Sequence, residues 1–163
     1  MMKSVLIVGQ APPLRDAITP YERTRLWRWL KDAGVHTDAV AWQFDSVLHD
    51  FPGRSRGTDR PPSRDEIAVA SDRLAKTITS LRPHAVIPVG LAAARAVLGR
   101  AHPIGSLDDA VGQIWNVMGM PPAVVLPHPS GRSTWIYSSE ERMAALQASL
   151  QLISEILSDS GSR

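Results

Sequence analysis

Cysteine is absent from this sequence of 163 residues, and aromatic residues make up only 6% of it. Without cysteine the chain can have no disulfide, no cysteine-ligated zinc and no cysteine-held iron–sulfur cluster. The apolar run that begins at Val5 is too short for a signal-peptide core or a membrane span. We therefore expect a soluble, cytoplasmic protein with no membrane partner.

Neither sign of charge dominates, because 18 Lys and Arg face 16 Asp and Glu, for a formal net charge of +2. This balance is compatible with nucleic-acid binding and is also common among proteins that bind none. The length suits one well-packed domain and is too short for two. The sequence predicts a single domain over residues 1–157 and a flexible tail over residues 158–163.

Apolar runs and helical patterns alternate along the chain. Strands are predicted at residues 5–8, 35–42, 85–89 and 123–126, and helices at residues 21–33, 63–81, 91–98 and 138–157. Ser63 with Glu66, and Ser138 with Glu141, form capping-box patterns. Residues 104–120 are ambiguous and are compatible with a short helix and a strand. The alternation predicts a three-layer α/β/α fold with a central, mostly parallel, four-stranded sheet.

The loop from Leu126 to Trp135 follows a predicted strand and carries His128. Prolines on both sides of His128 stiffen the backbone, and the small residues that follow leave amide and hydroxyl donors with little bulk beside them. Loops at the carboxyl ends of parallel strands commonly carry the chemistry of α/β sheets. Either this loop holds an imidazole for chemistry, or it is a proline-rich connection with an incidental histidine.

Four arginines fall within a short segment that glycine and proline interrupt: Arg54, Arg56, Arg60 and Arg64. The pattern indicates an exposed basic loop. Guanidinium groups bind phosphate oxygens well, and each neutralised phosphate adds a salt-dependent increment of affinity. The alternative is a solvated linker that uses arginine for solubility.

Five landmarks occur in order along the chain. They are Gly9-Gln10-Ala11-Pro12, Pro20-Tyr21 before the Leu26-Trp27-Arg28-Trp29-Leu30 helix, Phe51-Pro52-Gly53 with its basic loop, Pro88-Val89-Gly90, and Leu126-Pro127-His128-Pro129-Ser130-Gly131 through Trp135. Together they resemble the uracil-DNA glycosylase superfamily, whose first motif is a Gly-polar-Ala/Asp/Asn-Pro turn and whose second is a His-Pro-Ser loop. The resemblance covers most of the chain and points to a bacterial, cysteine-free branch without an iron–sulfur cluster.

The resemblance implies an enzyme of base excision repair that flips uracil out of DNA and hydrolyses its N-glycosidic bond, leaving an abasic site. It also implies uracil-containing DNA as partner, free uracil as product, a monomer, and neither cofactor nor metal. His128 is the candidate catalytic donor, because a neutral imidazole can hydrogen-bond uracil O2 as negative charge develops there.

Two further catalytic candidates, Gln10 and Asp45, would place water. Gln10 and Ala11 stand where several branches of the superfamily have Asp, Glu or Asn. Gln10 cannot act as a base but could orient water through its carbonyl. Asp45, or else Asp16, would supply a carboxylate that eases water attack or steadies the cationic sugar. Asp45 could instead simply cap the end of the second strand.

The predicted base-binding residues are Gly9, Ala11, Pro12, Tyr21, Phe44 and Ser46. Tyr21 stands near the family's stacking Phe, and it either faces the extruded base or packs at the helix entry. Phe44 is either a second stacking residue or part of the core. Asp45 and Ser46 lie near the position of the family's base-reading Asn, which this chain lacks.

The predicted DNA-binding residues are Arg54, Arg56, Arg60, Pro129, Ser130, Gly131, Arg132 and Ser133. The resemblance implies that Ser130 and Ser133 donate to phosphates and that Arg132 fills the space left by the flipped nucleotide. Trp135 would support the loop by packing.

Two other classes of function stay open. One is a non-catalytic protein on the same fold that binds DNA lesions or abasic sites, which the missing carboxylate of the first motif favours. The other is a hydrolase or transferase of free nucleosides, which predicts no steep salt dependence of DNA binding.

Overall fold

The computed structural model describes residues 2–10, 24–48, 54–55, 58–59, 61–129, 135 and 138–158. In chain order the elements are β1 (Lys3–Gly9), α1 (Arg25–Asp32), a 3₁₀ turn (Thr37–Ala39), β2 (Val40–Ser46), β3 (Arg54–Ser55), β4 (Thr58–Asp59), α2 (Arg64–Leu81), β5 (Ala85–Pro88), α3 (Leu91–Leu98), α4 (Leu107–Ala110), β6 (Ile114–Trp115), β7 (Ala123–Val124) and α5 (Glu140–Ser158).

The central sheet has five strands in the order β2-β1-β5-β7-β6. Its first four strands are parallel, as predicted, and β6 adds an antiparallel edge strand beside β7. The added strand and α4 lie in the ambiguous segment 104–120, which does hold a short helix and a strand. The mixed α/β fold with a mostly parallel sheet is therefore confirmed.

Both faces of the sheet are covered, which explains the continuous apolar run of β1. Val5 and Ile7 pack with α1 and α5 on one face, whereas Leu6 and Val8 pack with α2 and α3 on the other. All four side chains are fully buried. A strand covered on both faces needs apolar residues at every position rather than at alternate ones.

The second strand begins later than the sequence predicts. Val35 is buried without being in a strand, and the 3₁₀ turn follows it. The indole Nε1 of Trp42 donates to the Thr37 carbonyl at 2.9 Å and so ties the turn to β2. Apolar residues before Val40 therefore reflect packing rather than strand pairing, and pattern alone does not separate the two.

The helix starts follow local hydrogen bonds. At α2 the predicted capping box is present, with Glu66 N donating to Ser63 Oγ at 3.2 Å and Ser63 N donating to Glu66 Oε1 at 3.0 Å. At α5 the predicted cap is off by one residue, because Arg142 N donates to Ser139 Oγ at 3.1 Å. Ser138 Oγ instead donates to the Trp135 carbonyl.

The C-terminal helix reaches Ser158, and the rest of the predicted tail lies outside the described residues. The boundaries of the single domain, residues 1–157, stay a prediction. None of the helices in the described part of the chain is long and apolar enough to cross a membrane.

Candidate active site

The four parallel strands end at one edge of the sheet, and several of the predicted site residues lie at or just beyond those ends. Gly9 of β1 pairs with Ser46 of β2, and Val89 after β5 forms a bridge with Leu126 after β7. Since side chains just beyond parallel strands share one edge, Gln10, Asp45 and His128 belong to the same edge of the molecule. This edge is called the carboxyl edge below.

Backbone hydrogen bonds continue past the strands and fix this edge. Val47 N donates to Gly9 O and Leu48 N donates to Gln10 O, each at 2.9 Å. Val89 N donates to Val8 O at 2.8 Å, which ties the β5 turn to the end of β1. The residues from Val8 to Gln10 are thus held by the neighbouring strands on both sides.

His128 stands exposed between two buried prolines. The backbone before it is fixed, because Gly90 N donates to Leu126 O at 2.8 Å. The backbone after it is fixed by α1, since Arg25 Nε donates to Pro129 O at 3.1 Å. The imidazole is therefore presented to solvent from a braced backbone.

Gly90 has no role predicted from the sequence beyond its place in a landmark. It has φ +90° and ψ 170°, a conformation that residues with a side chain rarely adopt. A Cβ built there would lie 4.0 Å from His128 Cβ, which is ordinary contact. Glycine is therefore required by the backbone angle, and this turn places α3 directly beside the His128 loop.

Asp45 is bound by a side chain of α2, a contact that the sequence pattern does not predict. Arg73 Nη1 of α2 donates to both carboxylate oxygens of Asp45, at 2.9 and 3.0 Å, and Ser46 N donates to Asp45 Oδ1 at 2.7 Å. The side chains of Arg73 and Asp45 are only 27% and 20% exposed. The only sequence signal is a basic residue beside the buried helix positions Ala70 and Leu74.

Ser46 and Phe44 lie two residues apart on β2 and make different contacts. Ser46 Oγ donates to the Leu48 carbonyl at 2.5 Å, so its hydroxyl proton is committed and its oxygen lone pairs remain as acceptors. Phe44 is half-buried and packs against the core cluster that contains Ile7, its partner in the β1 register. Phe44 therefore packs against the core while part of its ring stays exposed to solvent.

Trp135, at the far end of the His128 loop, packs against the core residues of both faces of the sheet. The Arg142 guanidinium lies 5.3 Å from the Trp135 ring centroid, and Arg142 Nε donates to Asp108 Oδ1 at 2.8 Å. Hydrogen bonding from Arg142 lowers the pKa of the Asp108 carboxyl below its ordinary value. Trp135 thus lies where a supporting residue of the loop is expected.

Several predicted site residues lie outside the described part of the chain: Ala11, Pro12, Tyr21, Arg56, Arg60, Ser130, Gly131, Arg132 and Ser133. The alternative carboxylate, Asp16, lies there as well. Within the basic segment, β3 and β4 pair antiparallel, Arg54 with Asp59 and Ser55 with Thr58. Among the residues that the structure does describe, no group of three or more His, Asp or Glu is placed to hold a metal ion.

The fold and the polar residues at the carboxyl edge define an α/β domain whose site lies beyond the ends of its parallel strands. The model of the Uracil DNA glycosylase superfamily matches residues 2–151. The chain belongs to this superfamily. A comparison with curated proteins finds no match. Family membership supports a DNA glycosylase type of function, that of a hydrolase acting on DNA.

Proposed function

We propose that the chain is a monofunctional uracil-DNA glycosylase that excises uracil from DNA and leaves an abasic site. The observation that carries the proposal is the braced, exposed His128 at the same sheet edge as the first motif and the end of β2. We further propose that the enzyme is monomeric and cytoplasmic and that it releases free uracil.

In the proposed reaction water adds its hydroxyl to C1′ of the sugar, and uracil leaves with the electron pair of the glycosidic bond and takes up a proton. Negative charge develops on the departing base, and His128 stabilises this charge by donating a hydrogen bond to uracil O2. Positive charge develops on the sugar, which the Asp45 carboxylate stabilises while Gln10 orients the water.

The base must leave the stack to reach this edge. We assign Gly9, Ala11, Pro12, Tyr21, Phe44 and Ser46 to the pocket that receives it. The acceptor lone pairs of Ser46 match the N3–H donor of uracil, because the Ser46 proton already goes to Leu48 O. We assign Arg54, Arg56, Arg60 and the loop residues Pro129, Ser130, Gly131 and Ser133 to the DNA backbone, and Arg132 to the space left by the flipped nucleotide.

Replacement of His128 tests the proposal directly. His128→Ala should slow uracil release from an oligonucleotide by about 10²- to 10³-fold, the usual loss when one preorganised donor to a developing anion is removed. DNA affinity should change little, because the contacts with the DNA backbone are assigned to other residues. The measurement is single-turnover strand cleavage after abasic-site treatment, together with a DNA-binding titration.

His36→Ala is the matched control, since His36 is exposed at the opposite end of β2. Equal release rates in both variants and the wild type would remove His128 from the chemistry. A wild type that binds lesion-containing DNA without turnover would support the non-catalytic binder instead. Turnover of free nucleosides with no DNA requirement would support the nucleoside enzyme.

A further inference from the structure

The guanidinium of Arg73 binds several acceptors at the end of β2. Besides its two bonds to the Asp45 carboxylate, Arg73 donates through Nη2 to the carbonyls of Ser46 and Val47. Four acceptors on three consecutive residues thus meet a single planar group. Arg is suited to this task because its rigid fork carries five donors in fixed directions.

The segment that Arg73 holds is the one that pairs with the first motif. Val47 N donates to Gly9 O, and Leu48 N, one residue further, donates to Gln10 O. Any movement of residues 45–48 is therefore transmitted to the backbone of Gly9 and Gln10. Among the described strands β2 lies at the edge of the sheet and pairs with β1 alone, so its end depends on other contacts for restraint.

Arg73 itself is held by the packing of its helix. Ala70 and Leu74 of α2 are buried against the sheet, so the guanidinium starts from a rigid element. Charge compensation also matters, since a partly buried carboxylate without a cation would be costly. Arg73 therefore supplies both the position and the counter-charge of Asp45.

We propose that Arg73 is a positioning residue of the active site: it fixes Asp45 and the 45–48 backbone against the first motif without touching the base or the sugar. This inference rests on the proposed uracil excision. It predicts that loss of Arg73 slows the chemical step more than it weakens DNA binding, because the guanidinium is engaged by Asp45 and by the carbonyls of Ser46 and Val47.

The experiment compares Arg73→Ala, Arg73→Lys and the control Arg100→Ala with the wild type. Arg100 pairs with Asp72, the neighbour of Arg73 in α2, but both side chains of that pair are more than 60% exposed, so this ion pair lies at the surface. Single-turnover uracil release should fall about tenfold or more in Arg73→Ala. DNA affinity should change less than about threefold, and Arg100→Ala should match the wild type.

Arg73→Lys should recover only part of the rate, because an ammonium can pair with Asp45 but cannot reach all four acceptors in fixed geometry. A second readout is independent of activity: amide hydrogen exchange of Val47 and Leu48 should accelerate about tenfold in Arg73→Ala and not in Arg100→Ala. Thermal melting of each variant gives the folded fraction with which rates are compared.

Each outcome decides the proposal. Wild-type release rates in a folded Arg73→Ala, or a rate that falls only with the folded fraction, would overturn it. Unchanged exchange of Val47 and Leu48 would overturn it as well. A wild type that releases no uracil would overturn the proposed function, and the positioning role would then stand or fall on amide exchange alone.

Discussion

At the carboxyl end of β2, the Asp45 carboxylate accepts hydrogen bonds from Arg73 and from the amide of Ser46. The sequence allows two roles for this residue, a carboxylate for the water step and a cap on the strand end. The hydrogen bond from Ser46 N is a capping contact, so that part of the alternative is real. It does not remove the chemical role, because a carboxylate can steady a cationic sugar while it is held in place.

The water step gives a prediction for Gln10 and Asp45. Gln10→Ala and Asp45→Asn should each slow uracil release by about tenfold, since a dissociative bond break depends only modestly on base strength. Single-turnover rates for both variants and their double mutant measure the effect, and Asp38→Asn, exposed in the 3₁₀ turn, is the control. A wild-type rate in either single variant would exclude that residue from the water step.

At the scale of secondary-structure elements, the turn from β5 into α3 lies against the His128 loop. Gly90 is the N-cap of α3 and lies beside His128. A strand-to-helix turn with this backbone angle leaves the amide of Gly90 directed at Leu126 O, which connects two strands at the site. A change in the backbone of this turn should therefore also shift the imidazole of His128.

Gly90→Ala tests the dependence of the His128 loop on this turn. The positive φ should cost about 1–3 kcal/mol of the free energy of unfolding, and uracil release should fall as the His128 loop shifts. Gly119→Ala is the control, because Gly119 has φ +80° with nothing within 4 Å of a built Cβ. Denaturant unfolding and single-turnover assays should show lost stability in both variants but slower release in Gly90→Ala alone.

The contact between α4 and α5 gives a pH prediction. The pKa of Asp108 is lowered from 3.8 by the hydrogen bond from Arg142, so the folded state favours the ionised form. The stabilisation is complete above pH 3.8 and is lost as the pH falls through the lowered folded pKa.

Melting temperatures of the wild type and Asp108→Asn should therefore differ slightly at neutral pH and converge at acidic pH. The effect should be small because the pair is exposed at the surface. A difference that grows on acidification would contradict the assigned sign.

On the scale of the whole molecule, DNA binding depends on charge that the global balance hides. The net charge is only +2, yet the basic segment concentrates arginine in the part of the sequence that follows β2, the strand that carries Asp45 and Ser46. A DNA enzyme with this arrangement would bind the phosphate backbone near its site, and its affinity would fall steeply with salt.

Replacing Arg54, Arg56 and Arg60 with Gln should weaken DNA binding and lower the slope of log affinity against log salt by up to about 0.9 for each phosphate that is no longer neutralised. The control is Lys76→Gln, an exposed change on α2. Titrations at several salt concentrations measure the slope. An unchanged slope would favour the solvated-linker interpretation of this segment.

Much of this molecule follows from the sequence by itself. The apolar run of β1 predicts a strand buried on both faces, and the Ser63–Glu66 box predicts the start of α2; the structure has both. The ordered motifs lead to the superfamily that the family comparison confirms. These predictions succeed because local pattern, capping and motif order are properties of neighbouring residues.

Other features need the tertiary structure. The late start of β2 does not follow from the sequence, because Val35 is an apolar residue that is buried in the core without pairing in a strand. The cap at Ser139 does not follow from it either, because the hydroxyl of Ser138 bonds to Trp135 instead.

Arg73 is the clearest case, since it lies 28 positions from Asp45 and meets it only when α2 packs beside the end of β2. The sequence determined which residues the chain offers and the kind of fold that they form. Which side chains meet was decided by tertiary packing, because contacts between distant residues depend on where whole elements lie.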